Sequence, residues 1–267
     1  MNASSHIIHI QKSAINLLAN FLPIFLEDIP TDSQMSRFDR KYIFPGFMIP
    51  SLIKKANGSY RVLEINGKRI LEYKSQYFDT PDFGMYHAHH NQKAERYKIR
   101  IREYVESKEF FLEIKKKTNK GLTIKHRIPQ DEPSISNKQA KDLIRNFSPY
   151  SAEVLKPSVS TDFKRFTLVN KNGWERITLD SCISLCHNDK NLVFPWLGIA
   201  EIKKPDQHTM VKFEEILKEK GIRPRNFSKY CIGMASMNET IKSNNFKENL
   251  LSIKQFENEY FNHFKHQ

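Results

Sequence analysis

The stretch 96–104 alternates strictly between two kinds of side chain. Its cations share one phase, and they are Arg96, Lys98, Arg100 and Arg102. The opposite phase is apolar. Because successive side chains of a β-strand point to opposite faces, one face of this strand would be apolar and the other cationic. Neighbouring cations on one face repel one another, and a bound anion would offset this repulsion. The sequence therefore predicts that an anion lies over this face.

Other strand-like segments sort their charges in the same manner. The cations that recur in one phase are Arg37, Lys41, Lys115, Lys125, Arg127, Arg165, Arg176 and Lys203. The carboxylates in that phase are Asp39, Glu113, Asp180 and Glu201. Arginine binds phosphate oxygens with two parallel hydrogen bonds and lysine adds a point charge. Carboxylates would hold Mg²⁺ or Mn²⁺, which also bind phosphate oxygens.

Two arrangements of these charged faces remain open. An open sheet would expose a solvated basic face that binds nucleic acid loosely. A closed barrel would bury the charges, which costs several kcal/mol for each unpaired ion, so its interior would have to be wet and receive an anion. Few aromatic residues, mainly Tyr104 and Phe163, interleave with the cations. Single-strand binders usually stack bases on such rings, so the pattern favours linear phosphates over nucleic acid.

The elements that must position these residues are strands in the middle of the chain and helices around them. Strand-like alternation occurs at 37–44, 60–65, 71–79, 95–105, 109–117, 121–129, 160–169, 174–180 and 197–203. Helical stretches are expected at 11–20, 46–56, 136–147, 208–220, 228–242 and 246–262. Short connections make 95–129 an antiparallel meander. The pattern predicts one α+β domain on a large antiparallel sheet.

Composition narrows the class of protein. The 267 residues are 39% hydrophobic, which is enough for a sizeable core. The net charge of +13 indicates a polyanionic partner. The 3 cysteines include no C-x-x-C pair, so a reducing, cytoplasmic compartment is expected. The apolar run within 14–29 is too short to span a membrane and has no signal-peptide features.

Short motifs follow one another in an order that identifies a family. They are Arg37-x-Asp39-x-Lys41-Tyr42, Tyr77-Phe78-Asp79-Thr80, Arg96-Tyr97-Lys98-x-Arg100-x-Arg102, Phe111-Leu112-Glu113-Ile114-Lys115, Lys125-x-Arg127, Arg176-Ile177-Thr178-Leu179-Asp180, Glu201-Ile202-Lys203 and Phe227-Ser228-Lys229-Tyr230. Together they resemble the VTC (vacuolar transporter chaperone) domain, the polyphosphate polymerase branch of the CYTH-like triphosphate tunnel metalloenzymes.

This resemblance implies an α+β fold in which an antiparallel β-barrel of about eight strands forms a tunnel with flanking helices. We expect an N-terminal helical segment at 1–36, the tunnel domain at 37–240 and a C-terminal helix at 241–267. No sensor domain for inositol phosphates and no membrane spans are expected beside it.

The resemblance also implies an activity, the transfer of the γ-phosphoryl group of ATP to a growing polyphosphate chain with Mn²⁺ or Mg²⁺. Two alternatives stay open. One is a hydrolase of tripolyphosphate or nucleoside triphosphates on the same scaffold, and the other is a non-catalytic module that binds polyphosphate. No nucleic acid partner is expected, and the oligomeric state is left open.

Site residues follow from the matching motifs. The catalytic residues would be Lys41, Arg100, Arg102, Lys115, Arg165 and Glu201. Further phosphate contacts would be Arg37, Lys98, Lys125, Arg127, Lys203 and Lys229. Glu201 would be the leading metal ligand and Glu113 a second one. The wider superfamily has glutamate at the positions of Arg37 and Asp39, which leaves the role of Asp39 open. The neighbouring His87, His89 and His90 are expected at the surface or beside polyphosphate rather than on a metal.

Overall fold

A computed structural model describes residues 3–29, 38–171, 175–206 and 208–265, with side chains from residue 10 onward. The strands are β1 (Pro23–Ile24), β2 (Phe38–Pro45), β3 (Tyr60–Leu63), β4 (Leu71–Asp79), β5 (Arg96–Tyr104), β6 (Glu109–Lys117), β7 (Thr123–Gln130), β8 (Lys156–Asn170), β9 (Arg176–His187), β10 (Lys190–Phe194) and β11 (Leu197–Lys204). The helices are α1 (Ala3–Leu18), α2 (Ile49–Ala56), α3 (Gly84–His90), α4 (Lys138–Phe147), α5 (Lys212–Glu219), α6 (Lys229–Met237) and α7 (Lys247–Lys265).

The described strands belong to one sheet, and its main path runs β2-β11-β9-β8-β4-β5-β6-β7. Every neighbouring pair on this path is antiparallel. The predicted α+β class, the large antiparallel sheet and the meander at 95–129 are therefore confirmed. The sheet also contains β1, β3 and β10, of which β1 and β10 were not expected from the sequence.

Closure of the barrel by hydrogen bonds is not found among the described strands, because the ends of the path, β2 and β7, do not pair. The outer edge of β2 is instead covered by a later segment. The backbone N–H of Arg225 donates to the carbonyl of Lys41 at 2.7 Å, and Pro224 forms a bridge to Tyr42. This segment occupies hydrogen-bonding positions that β7 would need to close the barrel.

The sheet nevertheless curls around its concave side. Glu201 on β11 and Lys115 on β6 lie near opposite ends of the strand order. Even so, Lys41 on β2 and Lys98 on β5 donate to the adjacent residues Phe227 and Ser228, so these strands face each other across a concave surface. In agreement with this, the charge of Glu201 raises the pKa of Lys115. The strands thus form most of a tunnel wall without complete hydrogen-bonded closure.

Hydrophobic packing places helices on both sides of this wall. Apolar residues of α1, α2 and α5 pack on the convex side, and α4 packs on the outside of β5 and β6. Helix α6 is buried almost all round in a separate core that it shares with β8, β9 and α7. Its Gly233 lies so close to β8 that an added Cβ would stand 2.9 Å from Val159. Helix α6 therefore lies deep in the concave side, and its first residue, Lys229, reaches the cationic wall.

The helix α3 was not predicted, because its histidine-rich sequence reads as a loop. Its first backbone N–H groups donate hydrogen bonds to the side chains of Asp79 and Thr80 at the end of β4, and these bonds stabilise the start of the helix. Within the described part of the chain, no helix has the length and apolar character needed to cross a membrane.

A buried carboxyl group beside β9 gives the fold a testable pH dependence. The hydroxyl of Tyr60 donates to both oxygens of Glu175 at 2.8 Å, and burial raises the pKa of Glu175 to about 7. An unfolded glutamate titrates near pH 4.3, so the folded state holds this proton more tightly. The corresponding stability is complete below about pH 4 and is lost as the pH rises through about 7.

We expect Glu175→Gln to remove this dependence. Between pH 4.5 and 8, the free energy of unfolding of the unmodified chain should fall by roughly 3 kcal/mol relative to that of the variant. Urea unfolding across this range measures the difference. The exposed Glu248, changed to Gln, serves as the control. Parallel pH profiles for Glu175→Gln and the unmodified chain would contradict the assignment.

Candidate active site

The sequence-predicted cations meet on the concave surface, because strand alternation and the curl of the sheet bring them together. They are Lys41 on β2, Lys98, Arg100 and Arg102 on β5, Lys115 on β6, Lys125 and Arg127 on β7, Arg165 on β8, Lys203 on β11 and Lys229 on α6. Arg37 lies outside the described residues.

A buried carboxylate fixes the first group of cations, which we call the Glu113 cluster (Arg100, Glu113 and Lys125). Glu113 on β6 stands opposite Arg100 on β5 in the strand register. Its Oε2 accepts from Nε and Nη2 of Arg100 at 2.8 and 2.5 Å, and its Oε1 lies 2.5 Å from Nζ of Lys125. Burial raises the pKa of Glu113, but Arg100 and Arg102 outweigh burial and hold it well below its ordinary value. The ionised carboxylate therefore holds Arg100 in the wall.

A second carboxylate does the same deeper in the surface, in the Asp180 cluster (Arg165, Asp180 and Lys229). Nε and Nη2 of Arg165 donate to the two oxygens of Asp180 at 2.6 and 2.8 Å. Nζ of Lys229 donates to Oδ2 of Asp180. Burial raises the pKa of Asp180, but Arg165 and Lys229 lower it by more. Asp180 thus joins α6 to the sheet and orients two cations at once.

Aromatic rings form a floor beneath the arginines. Tyr73 and Phe163 stack at 5.5 Å between centroids. The guanidinium of Arg165 lies 5.1 Å from both ring centroids, and that of Arg102 lies 5.4 and 5.8 Å from them. The ammonium of Lys229 lies 4.0 Å from the centroid of Phe163. These cation–π contacts position the cations without neutralising them.

Tyr77 is a further polar group of the wall that the sequence did not assign to the site. Its hydroxyl accepts a hydrogen bond from Nη1 of Arg100 at 3.0 Å. Burial raises the pKa of Tyr77, but the nearby cations, Arg100 first, outweigh burial and lower it to about 8. The field at this point of the concave surface is therefore strongly positive.

Five cations of the wall have no ion pair with a carboxylate among the described residues, and they are Lys41, Lys98, Arg102, Lys115 and Arg127. Three of them, Lys98, Arg102 and Lys115, lie together on the neighbouring strands β5 and β6. Lys98 donates to Oγ of Ser228 at 2.9 Å, and Arg102 donates to Oγ of Ser75 at 3.2 Å. Lys115 has no hydrogen bond or ion pair in that part of the chain. Burial lowers the pKa of all three, and that of Lys115 falls well below its usual value. A bound anion would relieve this cost, because it would stabilise their charged forms.

The remaining carboxylates of the site share a lysine. Nζ of Lys203 donates to Glu201 at 2.9 Å and to Asp39 at 3.0 Å. Burial raises the pKa of Glu201, but Lys203 and Lys41 hold it well below its usual value. The carboxylates of Glu201 and Asp39 therefore lie on either side of one ammonium group at the β2–β11 edge of the surface.

The predicted histidines His89 and His90 do not point to a common site. Nε2 of His89 contacts the carbonyl of Tyr97 at 3.0 Å, whereas the ring of His90 contacts Asn91 and Asn244. Burial lowers the pKa of His89 to about 2, so this ring is neutral. In the described part of the chain, no group of three or more His, Cys, Asp or Glu side chains could hold a metal ion.

Fold and site together define a class of protein, an α+β domain whose curved antiparallel sheet lines its concave side with buried cations. The VTC domain family model matches residues 36–238, and the chain belongs to this family. The family predicted from the motifs is thus confirmed.

Two solved structures are similar to this chain, and the first of them shares its fold. A proposed adenylate cyclase of Bacillus halodurans is 18% identical, with a TM-score of 0.50, and the match covers 73% of this chain and 94% of that one. A Hippeastrum protein, a proposed adenylyl cyclase described as having a dominant triphosphatase activity, is 13% identical, with a TM-score of 0.48 and coverage of 75% and 96%. No curated protein matches this sequence.

Proposed function

We propose that this chain is a phosphotransferase that moves the γ-phosphoryl group of ATP to the end of a polyphosphate chain. The carrying observation is the group of buried or half-buried cations without carboxylate partners among the described residues, Lys98, Arg102 and Lys115, which flank the Glu113 cluster on β5 and β6. Membership of the VTC domain family supports polyphosphate as the acceptor.

The arrangement of charges suits phosphoryl transfer. This reaction needs little covalent help, and its acceleration comes from in-line positioning and from neutralising the charge of the transferred group. Arg100 and Arg165 are held by carboxylates and aromatic rings, so they offer fixed guanidinium groups. Lys98 and Lys115 are less constrained and supply uncompensated positive charge. Lys41, Lys125, Arg127, Lys203 and Lys229 extend this field along the bound phosphates.

The carboxylates differ in their fitness for Mn²⁺ or Mg²⁺. Both oxygens of Glu113 contact cations and its side chain is 0% exposed, which favours an ion-pair role for it. Glu201 and Asp39 are partly exposed, and Lys203 is their one ion-pair partner in the described part of the chain, so they fit a metal ion that also binds substrate phosphates. Such an ion would neutralise charge on the phosphoryl group. We assign Glu201 as the main ligand.

One assay separates the possible activities. Purified protein is incubated with ATP and Mn²⁺ or Mg²⁺, with and without a short polyphosphate primer, and the products are followed by ³¹P NMR. Growth of the polyphosphate signal supports the proposal. Release of orthophosphate alone would indicate a hydrolase, and tight polyphosphate binding without turnover would indicate a binding module.

Arg102→Ala tests whether the unpaired cations hold substrate. Because a hydrogen bond to a charged group contributes about 1.5–3 kcal/mol, we expect tripolyphosphate to bind at least tenfold more weakly. Calorimetric titration without metal measures this change. The control is Arg145→Ala on α4, whose side chain is 75% exposed. Equal affinities of the two variants would contradict the role of Arg102.

A further inference from the structure

Two residues that the proposed mechanism does not use, Asp79 and Tyr230, meet in one buried hydrogen bond. Asp79, at the end of β4, is 1% exposed. It accepts hydrogen bonds from the backbone N–H groups of Met85 and Tyr86 at 2.8 and 2.9 Å. It also accepts a hydrogen bond from the hydroxyl of Tyr230 on α6. The carboxylate thus ties β4, α3 and α6 together.

Tyr230 stands between the two clusters of the cationic wall. Its ring stacks on that of Tyr77 at 5.2 Å, and Tyr77 accepts the hydrogen bond from Arg100. The preceding residue, Lys229, contacts Asp180. One side chain therefore connects to Arg100 through a ring stack and to Lys229 through the backbone.

The Tyr230 hydroxyl acts as a fixed donor. Burial, and then the charge of Asp79, raise its pKa well above the usual value, so it keeps its proton. The first turn of α6 has a second tie at Ser228, whose Oγ accepts from the N–H of Cys231 and from Lys98. Lys229 adds a third tie through Asp180, so with the Tyr230 bond in place this turn is held at three points. Loss of the Tyr230 bond leaves the N-cap and the Lys229–Asp180 contact to hold the turn, and the ammonium of Lys229 is then placed less firmly.

We propose that Tyr230 is a positioning residue of the phosphate site, through its bond to Asp79. This bond sets the orientation of α6 and so places the ammonium of Lys229. The stacking of the Tyr230 ring on Tyr77 positions the Tyr77 hydroxyl, which accepts the hydrogen bond from Arg100. The inference rests on the proposed function, since it needs phosphate to bind at this wall.

Tyr230→Phe removes the hydroxyl and keeps the ring, and Tyr86→Phe is its matched control. Tyr86 is also a buried tyrosine of this core, and its hydroxyl donates to the carbonyl of Lys242 at 2.7 Å, away from the cationic wall. Tyr230→Phe loses a buried hydrogen bond to a carboxylate and Tyr86→Phe loses a half-buried one to a carbonyl, so both should lower the urea midpoint, Tyr230→Phe by more. Only Tyr230→Phe should weaken tripolyphosphate binding, by about tenfold, while Tyr86→Phe stays within twofold.

Calorimetric titration of tripolyphosphate without metal decides the outcome. In a Lys229→Met background, Tyr230→Phe should cause at most half of its effect on log Kd, because part of its action passes through Lys229. Equal affinities of Tyr230→Phe and Tyr86→Phe overturn the inference and leave the proposed function standing. Failure of the unmodified chain to bind tripolyphosphate overturns both.

A second variant keeps the test usable if Tyr230→Phe does not fold. Tyr77→Phe keeps the ring stack but removes the hydroxyl that accepts from Arg100. It should weaken tripolyphosphate binding at least threefold relative to Tyr86→Phe. An affinity equal to that of Tyr86→Phe overturns the inference.

Discussion

Glu201→Gln is expected to lower metal-dependent turnover about a thousandfold, which corresponds to about 4 kcal/mol of transition-state stabilisation. The amide has the shape of the carboxylate but lacks the charge that holds a divalent cation. Because Lys203 and Lys41 keep the pKa of Glu201 far below its usual value, the unmodified carboxylate is ionised throughout the neutral range. The loss should therefore be the same at every pH between 6 and 9.

The fold should survive this change, since Lys203 keeps its second partner, Asp39, at 3.0 Å. Turnover of ATP is measured against Mn²⁺ concentration, and tripolyphosphate binding is measured without metal. We expect the variant to keep tripolyphosphate affinity within a few-fold while losing turnover. Glu109→Gln, at an exposed position of β6, is the control. Full turnover in Glu201→Gln would exclude this carboxylate as the metal ligand.

The cationic wall could be predicted from sequence because its signal is local. Alternation in 96–102 fixes which side chains share a face, and the short connection to 109–117 places Glu113 opposite Arg100. What alternation does not reveal is whether a carboxylate on that face binds a metal or a neighbouring cation. Glu113 and Glu201 share one phase of the pattern, yet Glu113 is held on both sides and Glu201 is not.

The aromatic floor shows a different limit. In β4 the polar residues Glu72, Lys74 and Gln76 face outward, whereas Tyr73 and Tyr77 face the cations. Because its inward-facing residues are uncharged, the charge pattern does not assign β4 to the site, although β4 carries rings that contact the arginines. Of its neighbours in the sheet, β5 is the next strand along the chain, whereas β8 comes from a distant part of it. Only this topology brings the rings beneath both Arg102 and Arg165.

The absence of pairing between β2 and β7 could also not be predicted from the sequence. The segment that covers β2 lies some 180 residues later in the chain, where Arg225 donates to the carbonyl of Lys41. The alternation of residues in β2 and β7 does not indicate that another segment pairs with the edge of β2. The prediction of a tunnel was right about the wall and wrong about its hydrogen-bonded closure in the described residues.

Arg100→Met is expected to have the largest effect on stability, a loss of about 3–5 kcal/mol in the free energy of unfolding at neutral pH. Glu113, with its side chain 0% exposed, would keep Lys125 as its one ion-pair partner among the residues that the structure describes. Breaking one side of a buried ion pair leaves a desolvated charge, whereas removing both partners does not. Arg100→Met with Glu113→Gln should therefore be more stable than Arg100→Met alone.

The loss of stability in Arg100→Met should depend on pH in a defined direction. The pKa of Glu113 is depressed in the folded chain, so its contribution is present above its unfolded pKa of about 4.3 and is lost as the pH falls. The stability gap between Arg100→Met and the unmodified chain should consequently be full at pH 7.5 and narrow only below about pH 4.3, toward pH 3. Urea unfolding at both pH values measures the gap, with the exposed Arg145→Met as control. A gap that stays constant over this range would mean that Arg100 stabilises the chain through packing rather than through the charge of Glu113.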